Sequence, residues 1–167
     1  RSPELNSDAR RRLLRDAQKL LSKIEWLVTA LLKMSKLEAG SISLQKEMIS
    51  LKNFLADAVS PFELAMDIHS KTCKISGADN KSFIGDYAWT LEAVQNVIKN
   101  GLEYTPDGKE LTICCEENPL YTELQITDSG PGIPRTDLPH LFERFYRGEN
   151  AGKDSFGIGL ALAQMIL

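Results

Sequence analysis

No stretch of this chain approaches the roughly 20 consecutive apolar residues that crossing a bilayer takes. The first residues also lack the charged-then-apolar layout of a signal peptide, so the sequence as it stands reads as soluble. Cysteine is scarce, with three in the chain. Cys114 and Cys115 are adjacent, which makes neither a disulfide framework nor a C-x-x-C metal pair, and all three read as buried thiols of a reducing compartment. An excess of basic charge is missing too: the net charge is -3, which gives no field for nucleic acid. Internal repeats and low-complexity tracts are absent. What is present is 167 residues, 43% hydrophobic and 26% charged, enough for one α/β core with an appendage.

Proline and glycine are absent from Ser7 to Ala39. Over that span Leu13, Ala17, Leu20, Ile24, Leu27, Leu31 and Met34 alternate spacings of four and three, a heptad seam. Leu14, Leu21 and Val28 widen the seam toward a bundle face, and one helix cannot bury such a face alone. The helix could pack on its own domain. Its length of roughly 48 Å, at 1.5 Å rise per residue, exceeds the width expected of the domain that follows and favours meeting other chains. Arg10, Arg11, Arg12 and Arg15 oppose the helix dipole in the first turns and read as a solvated face. Gly40 supplies a left-handed C′ position, and a domain boundary follows, giving a helical segment over residues 1–40 and a globular one over 41–167.

Beyond Gly40, alternation at Ile42 and Leu44 predicts a short strand. Helical spacing from Leu51 to Phe62 predicts a helix that Pro61 kinks or ends. A strand is expected around Lys71 to Ser76 and an extended piece at Ser82 to Ile84. A second strong helix, Tyr87 to Glu103, is broken by the turn residues Thr105-Pro106-Asp107-Gly108. Leu111–Glu116 and Tyr121–Thr127 alternate and read as an antiparallel hairpin. A glycine-punctuated stretch then leads into a last apolar helix from Leu160. The fold class is α/β in the α+β sense: a mixed sheet covered on one face by helices, preceded by one long bundle-forming helix.

Asn96 and Asn100, four apart, share one face of the second helix among apolar neighbours. Structural hydrogen bonding is one account of them. The other is a cleft in which a carbonyl oxygen serves a hard cation such as Mg²⁺ and the phosphates it accompanies. Asp128-Ser129-Gly130-Pro131-Gly132-Ile133 follows a strand directly. It could be a plain turn, or a carboxylate placed to accept from an exocyclic amine beside glycines that let a flat ring approach. Gly157-Ile158-Gly159-Leu160 stands at a helix start, where free N–H groups suit phosphate.

In this order, Asn96–Asn100, Asp128-x-Gly130-x-Gly132, Phe142-Glu143-Arg144-Phe145-Tyr146-Arg147 and Gly157-x-Gly159-Leu160 resemble the N, G1, F and G2 boxes of the histidine kinase catalytic domain, within the ATP fold shared with gyrase-type ATPases and Hsp90. Ser35-Lys36-Leu37-Glu38-Ala39-Gly40 resembles the end of that family's second dimerisation helix. The resemblance implies ATP and Mg²⁺ as ligands. Asn100 would hold Mg²⁺, Asp128 the adenine amine and Tyr104 the base; Gly130, Gly132, Ile133, Gly157, Gly159 and Leu160 would line the nucleotide. It implies that Arg147 neutralises phosphate charge in the transition state. Asn96 stands where related hydrolases carry a water-activating glutamate, and an amide cannot take that proton, so transfer is favoured over hydrolysis. Residues 147–156 would form a lid. The implied partners are a second copy, as a homodimer or larger bundle through the 8–39 helix, and a response regulator. The implied setting is the cytoplasmic part of a membrane-anchored bacterial sensor.

The match has gaps. His69 and His140 lack the context of the family's phosphoacceptor and read as structural or solvent histidines, so no phosphoacceptor is expected in this chain. After the last helix the family continues with two more strands that complete its sheet, and this sequence is expected to lack them. Gly101-Leu102-Glu103 stands where the family usually has Ala-x-Lys, and Ala161 where a third glycine is common; a Glu103 carboxylate near a triphosphate would repel it. Gly148-x-x-x-Gly152-Lys153-Asp154 is a poor match to a P-loop, with too few residues between its glycines and no Ser/Thr. Two alternatives stand beside an ATP-dependent kinase module: a degenerate kinase-like dimerisation scaffold, and an ATP-hydrolysing switch, which Asn96 disfavours.

Overall fold

A computed structural model describes residues 7–148 and 155–167. The chain divides into two compact units, one ending at Ser41 and the other running from Ile42 to Leu167. The first is a single helix, α1 (Ser7–Glu38). It ends as its glycine predicts: Gly40 takes φ 59. The Gly40 N–H then donates to the Leu37 carbonyl at 3.1 Å and the Ser41 N–H to Lys36 at 3.2 Å, which satisfies two carbonyls that the helix end would leave bare. Leu13, Leu14, Leu20, Leu21, Ile24 and Val28 are exposed along it.

The second unit begins with β1 (Lys46–Ser50), α2 (Leu51–Val59) and α3 (Glu63–Ile68), then β2 (Thr72–Ser76), β3 (Ser82–Asp86) and α4 (Tyr87–Tyr104). The hairpin strands β4 (Glu110–Glu117) and β5 (Thr122–Thr127) follow, and α5 (Gly159–Ile166) comes last. The strand expected at Ile42 and Leu44 instead starts at Lys46, where β1 finds an antiparallel partner in β3, Lys46 opposite Asp86. Alternation alone could not say where that partner lies. As expected, the regular helix ends at Pro61: α2 stops at Val59, a 3₁₀ turn follows at Ser60–Phe62, and α3 begins at Glu63. Pro has no N–H to give an α-helical ladder, and a short 3₁₀ turn absorbs the loss.

Pairing is mixed, as expected, but divided into two sheets: β1 with β3, and β2-β4-β5 with β2 parallel and β5 antiparallel to β4. The hairpin turn is fixed by Asn118, whose Oδ1 accepts from the Leu120 and Tyr121 N–H groups at 2.8 and 3.0 Å. The core joins Leu51, Phe54, Leu55 and Ala58 of α2 to Ile98 and Leu102 of α4 and to Leu111, Ile113 and Cys115 of β4. Phe54 anchors it edge-on to Phe83 and Tyr87. The period of two along β4 turns Cys115 inward and leaves Cys114 exposed, so the thiols are not all buried as expected. Burial pushes the Cys115 thiol up from its ordinary pKa. Beside β5, a cavity of about 860 Å³ opens between Met48, Phe83 and Ile84 on one side and Leu120, Tyr121 and Leu124 on the other.

Candidate functional site

The site is built on α4. Its start is set by Asp86, whose Oδ1 accepts from the Trp89 N–H at 3.1 Å, capping an otherwise bare donor. The other carboxylate oxygen accepts from the Gln45 N–H at 2.8 Å. Gln45's hydrogen bond, followed by Trp89's, holds this carboxyl below its ordinary pKa. Asp86→Ala is expected to lower the melting temperature by a few degrees, as loss of a helix cap does; an unchanged melting curve would show that the cap is energetically idle.

Along α4, Asn96 is half-buried and its Nδ2 donates to the Glu92 carbonyl at 3.0 Å. Its Oδ1 faces the first residue of α5, since a Cβ on Gly159 would meet it at 3.0 Å. Asn100 is half-buried one turn on, and among the described residues its amide has no hydrogen bond. Since no buried side-chain polar atom among the described residues lacks a partner, the Asn100 amide is open to solvent and free to meet a ligand. That places an oxygen donor where a hard cation could be held, although no group of three or more His, Cys, Asp or Glu side chains able to hold a metal occurs among the described residues.

The end of α4 meets the segment after β5. Gly101 has no side chain because Leu111 fills the space, a Cβ there lying 2.7 Å from its Cδ1 and 3.8 Å from the Asp128 Cβ. Gly130 sits against the helix end, a Cβ there falling 2.7 Å from both the Tyr104 carbonyl and the Asp128 Oδ1. The Gly130 N–H donates to that Oδ1 at 2.7 Å. Asp128 is thereby held by its own turn and exposed. Tyr104 is half-buried and its hydroxyl pKa is raised, first by burial and then by Glu103 and Asp137, with Arg147 opposing. Glu103 itself is exposed.

The F-box segment closes against the G2 box. The Phe145 N–H donates to the Gly157 carbonyl at 2.8 Å, and both residues are left-handed, at φ 66 and 67. The His140 ring nitrogen lies 2.8 Å from Glu143 Oε1, and Arg144 reaches the Met165 sulfur on α5 at 3.7 Å. His69 lies 3.2 Å from Asp107, in the turn that follows α4.

The predicted residues thus fall into linked groups, Asn96 with Gly159 and Asp128 with Gly130 and the Tyr104 carbonyl, while Arg147 bears on the Tyr104 hydroxyl through its charge. Leu160 is half-buried on α5, whereas Gly132 and Ile133 are exposed past the Asp128 turn. Most of the expected lid, residues 149–154, lies outside the described residues, as do Gly152, Lys153 and Asp154 of the poor P-loop match. Sequence reasoning passed over Asp86 and Asp137. The first had a signal, an acidic residue just before a strong helical period. Asp137 had little beyond preceding a Leu-Pro pair.

Residues 85–167 match the family model described as Histidine kinase-, DNA gyrase B-, and HSP90-like ATPase. The sensor histidine kinase WalK of Bacillus subtilis is 29% identical over 95% of this chain and 27% of its own length. YxdK of the same organism is 29% identical over 89% of this chain and 47% of its own. The chain thus spans less than half the length of these curated relatives. Among solved structures, the Acinetobacter baumannii histidine kinase AdeS superposes at TM-score 0.72 with 24% identity, covering 96% of this chain and 73% of that one. Full-length ShkA in complex with AMPPNP superposes at 0.76 with 17% identity, over 98% of this chain and 34% of that one. Both structures speak to the fold alone. No helix among the described residues is long and apolar enough to cross a membrane. With the family model matched across α4, the Asp128 turn and α5, and the fold shared with these kinases, residues 85–167 form a domain of the histidine kinase-, DNA gyrase B-, and HSP90-like ATPase family, of the histidine kinase kind.

Proposed function

We propose that this chain binds ATP with Mg²⁺ and, within a longer sensor kinase, delivers the γ-phosphoryl group to a histidine on a partner helix for relay to a response regulator. The observation that carries the reading is the convergence of Asp128, Gly130 and Tyr104 at the end of the helix that bears the unbonded amide of Asn100. In this reading Asp128 accepts from the purine amine, Tyr104 lines the base, and the start of α5 at Gly157, Gly159 and Leu160 offers N–H groups to phosphate. Asn100 would hold Mg²⁺, which offsets triphosphate charge when bound. Asn96, already tied to the Glu92 carbonyl, has no basic atom with which to activate water, which supports transfer over hydrolysis.

The reading extends to the exposed stripe of α1 as the surface on which two or more copies associate, and to a cytoplasmic position in a membrane-anchored bacterial sensor. Glu103, the residue that most favoured a scaffold without nucleotide, stands in water, where screening limits its repulsion of phosphate.

Calorimetric titration of the chain with ATP, with and without Mg²⁺, tests the reading. Mg²⁺ should strengthen binding, and Asn100→Ala should erase that gain, roughly tenfold for one charge-assisted contact, while leaving the Mg²⁺-free affinity in place. A folded sample that takes up no ATP would favour the scaffold.

A further inference from the structure

Asp137 is the one buried charged side chain among the described residues, 7% exposed. A carboxylate withdrawn from water is unfavourable unless polar groups surround it, yet the hydrogen bond it receives is a 3.2 Å contact from the neighbouring Thr136 hydroxyl. Its backbone is pinned on both sides. The Asp137 N–H donates to the Pro134 carbonyl at 2.9 Å, and the Asp137 carbonyl accepts from the His140 N–H at 3.0 Å. The side chain therefore leaves a rigid turn in a set direction, and that direction leads to Gly148, where a Cβ would lie 2.5 Å from Oδ2.

Gly148 is the next residue after Arg147, so the carboxylate abuts the backbone from which the Arg147 side chain leaves. Asp137 and Arg147 also act with opposite sign on the Tyr104 hydroxyl, which puts the three side chains in one electrostatic neighbourhood. None of the four boxes contains Asp137, and its burial has no account in the core, which lies among α2, α4 and β4. Arg147 itself is exposed, and a negative charge fixed beside the root of its side chain favours guanidinium positions on that side before substrate arrives.

We propose that Asp137 is a positioning residue, whose carboxylate, seated against Gly148, holds the adjoining Arg147 beside Tyr104 so that the guanidinium meets the terminal phosphate of ATP. The inference rests on the ATP reading above. It predicts that Asp137 matters for the third phosphate and hardly for the rest of the nucleotide.

The test is a double-mutant cycle on the full chain, titrated with Mg²⁺·ATP and Mg²⁺·ADP. Asp137→Ala and Arg147→Ala should each weaken ATP binding about tenfold and ADP binding less than twofold. The double variant should bind ATP no more weakly than Arg147→Ala alone, because the carboxylate has nothing left to position. If Asp137→Ala does not fold, Asp137→Asn, which keeps the side chain's shape, takes its place. Gly148→Ala, which crowds Oδ2 without touching its charge, should show the same selective loss for ATP. Losses that multiply in the double variant would overturn the proposal, and so would equal losses for ATP and ADP, the mark of a merely structural role. Wild-type chain that binds neither nucleotide would instead overturn the ATP reading, and this inference with it.

Discussion

Asp128→Asn should weaken ATP binding by roughly a hundredfold, about 3 kcal/mol, while leaving the fold intact. The two halves of that expectation come from the two carboxylate oxygens. Oδ1 accepts from the Gly130 N–H at 2.7 Å, and an asparagine carbonyl can do the same, so the turn that lets Gly130 approach the Tyr104 carbonyl survives. The second oxygen becomes an NH₂ group. If it faces the purine amine, a charge-assisted acceptor turns into a donor opposed to a donor: one favourable contact is lost and two donors are set against each other. Guanine nucleotides, which offer a carbonyl at the corresponding position, should be penalised far less. Near-wild-type ATP affinity in a folded Asp128→Asn protein would mean that this carboxylate does not read the base.

The second large effect is expected at Gly157. Its φ of 67 lies in the left-handed region, where a β-branched residue is strained by more than the roughly 1–2 kcal/mol that an ordinary side chain costs. A Cβ there would also collide with the Tyr146 carbonyl and press on the Phe145 carbonyl carbon at 2.8 Å. Gly157→Val should therefore break the Phe145 N–H to Gly157 bond and detach the F box from the G2 box, at about 3 kcal/mol locally. The main core contains no residue of either box, so global unfolding should change less. Hydrogen exchange is the measurement: protection of the Phe145 amide should fall roughly a hundredfold while core amides of β4 keep theirs. Equal protection in both proteins would show that the clasp between the boxes does not depend on this glycine.

Much of the fold was legible because the helices carry strong periodicity. The limits of α1 and α4 follow from an apolar stripe and from breakers at Gly40 and Thr105-Pro106-Asp107-Gly108. The hairpin was legible for a similar reason: strict alternation flanks an Asn-Pro turn. Strand β1 was misplaced because alternation at Ile42 and Leu44 is a local signal, whereas a strand exists only where a partner lies, and β3 is a non-local one. The tight α2, 3₁₀ and α3 succession hid behind Pro61, whose effect depends on whether packing pays for the missing hydrogen bond. At the site, residue types and order pointed to Asn96, Asn100, Asp128 and the paired glycines. Asp137 escaped notice because burial of a carboxylate is a property of the folded turn and leaves no trace in spacing.

The parallel pairing of β2 with β4 also bears on how the chain reaches this structure. β4 and β5 can zip together across their short Asn118 turn, a local event on the microsecond scale. Ser76 and Cys114, neighbours across the β2–β4 seam, are 38 positions apart, and β3 and all of α4 must be looped out and seated before that seam can close. Such long-range closure is the slow step in chains of mixed topology, so the central strand would wait half-paired, one flank open to strangers, until its oldest upstream neighbour arrives.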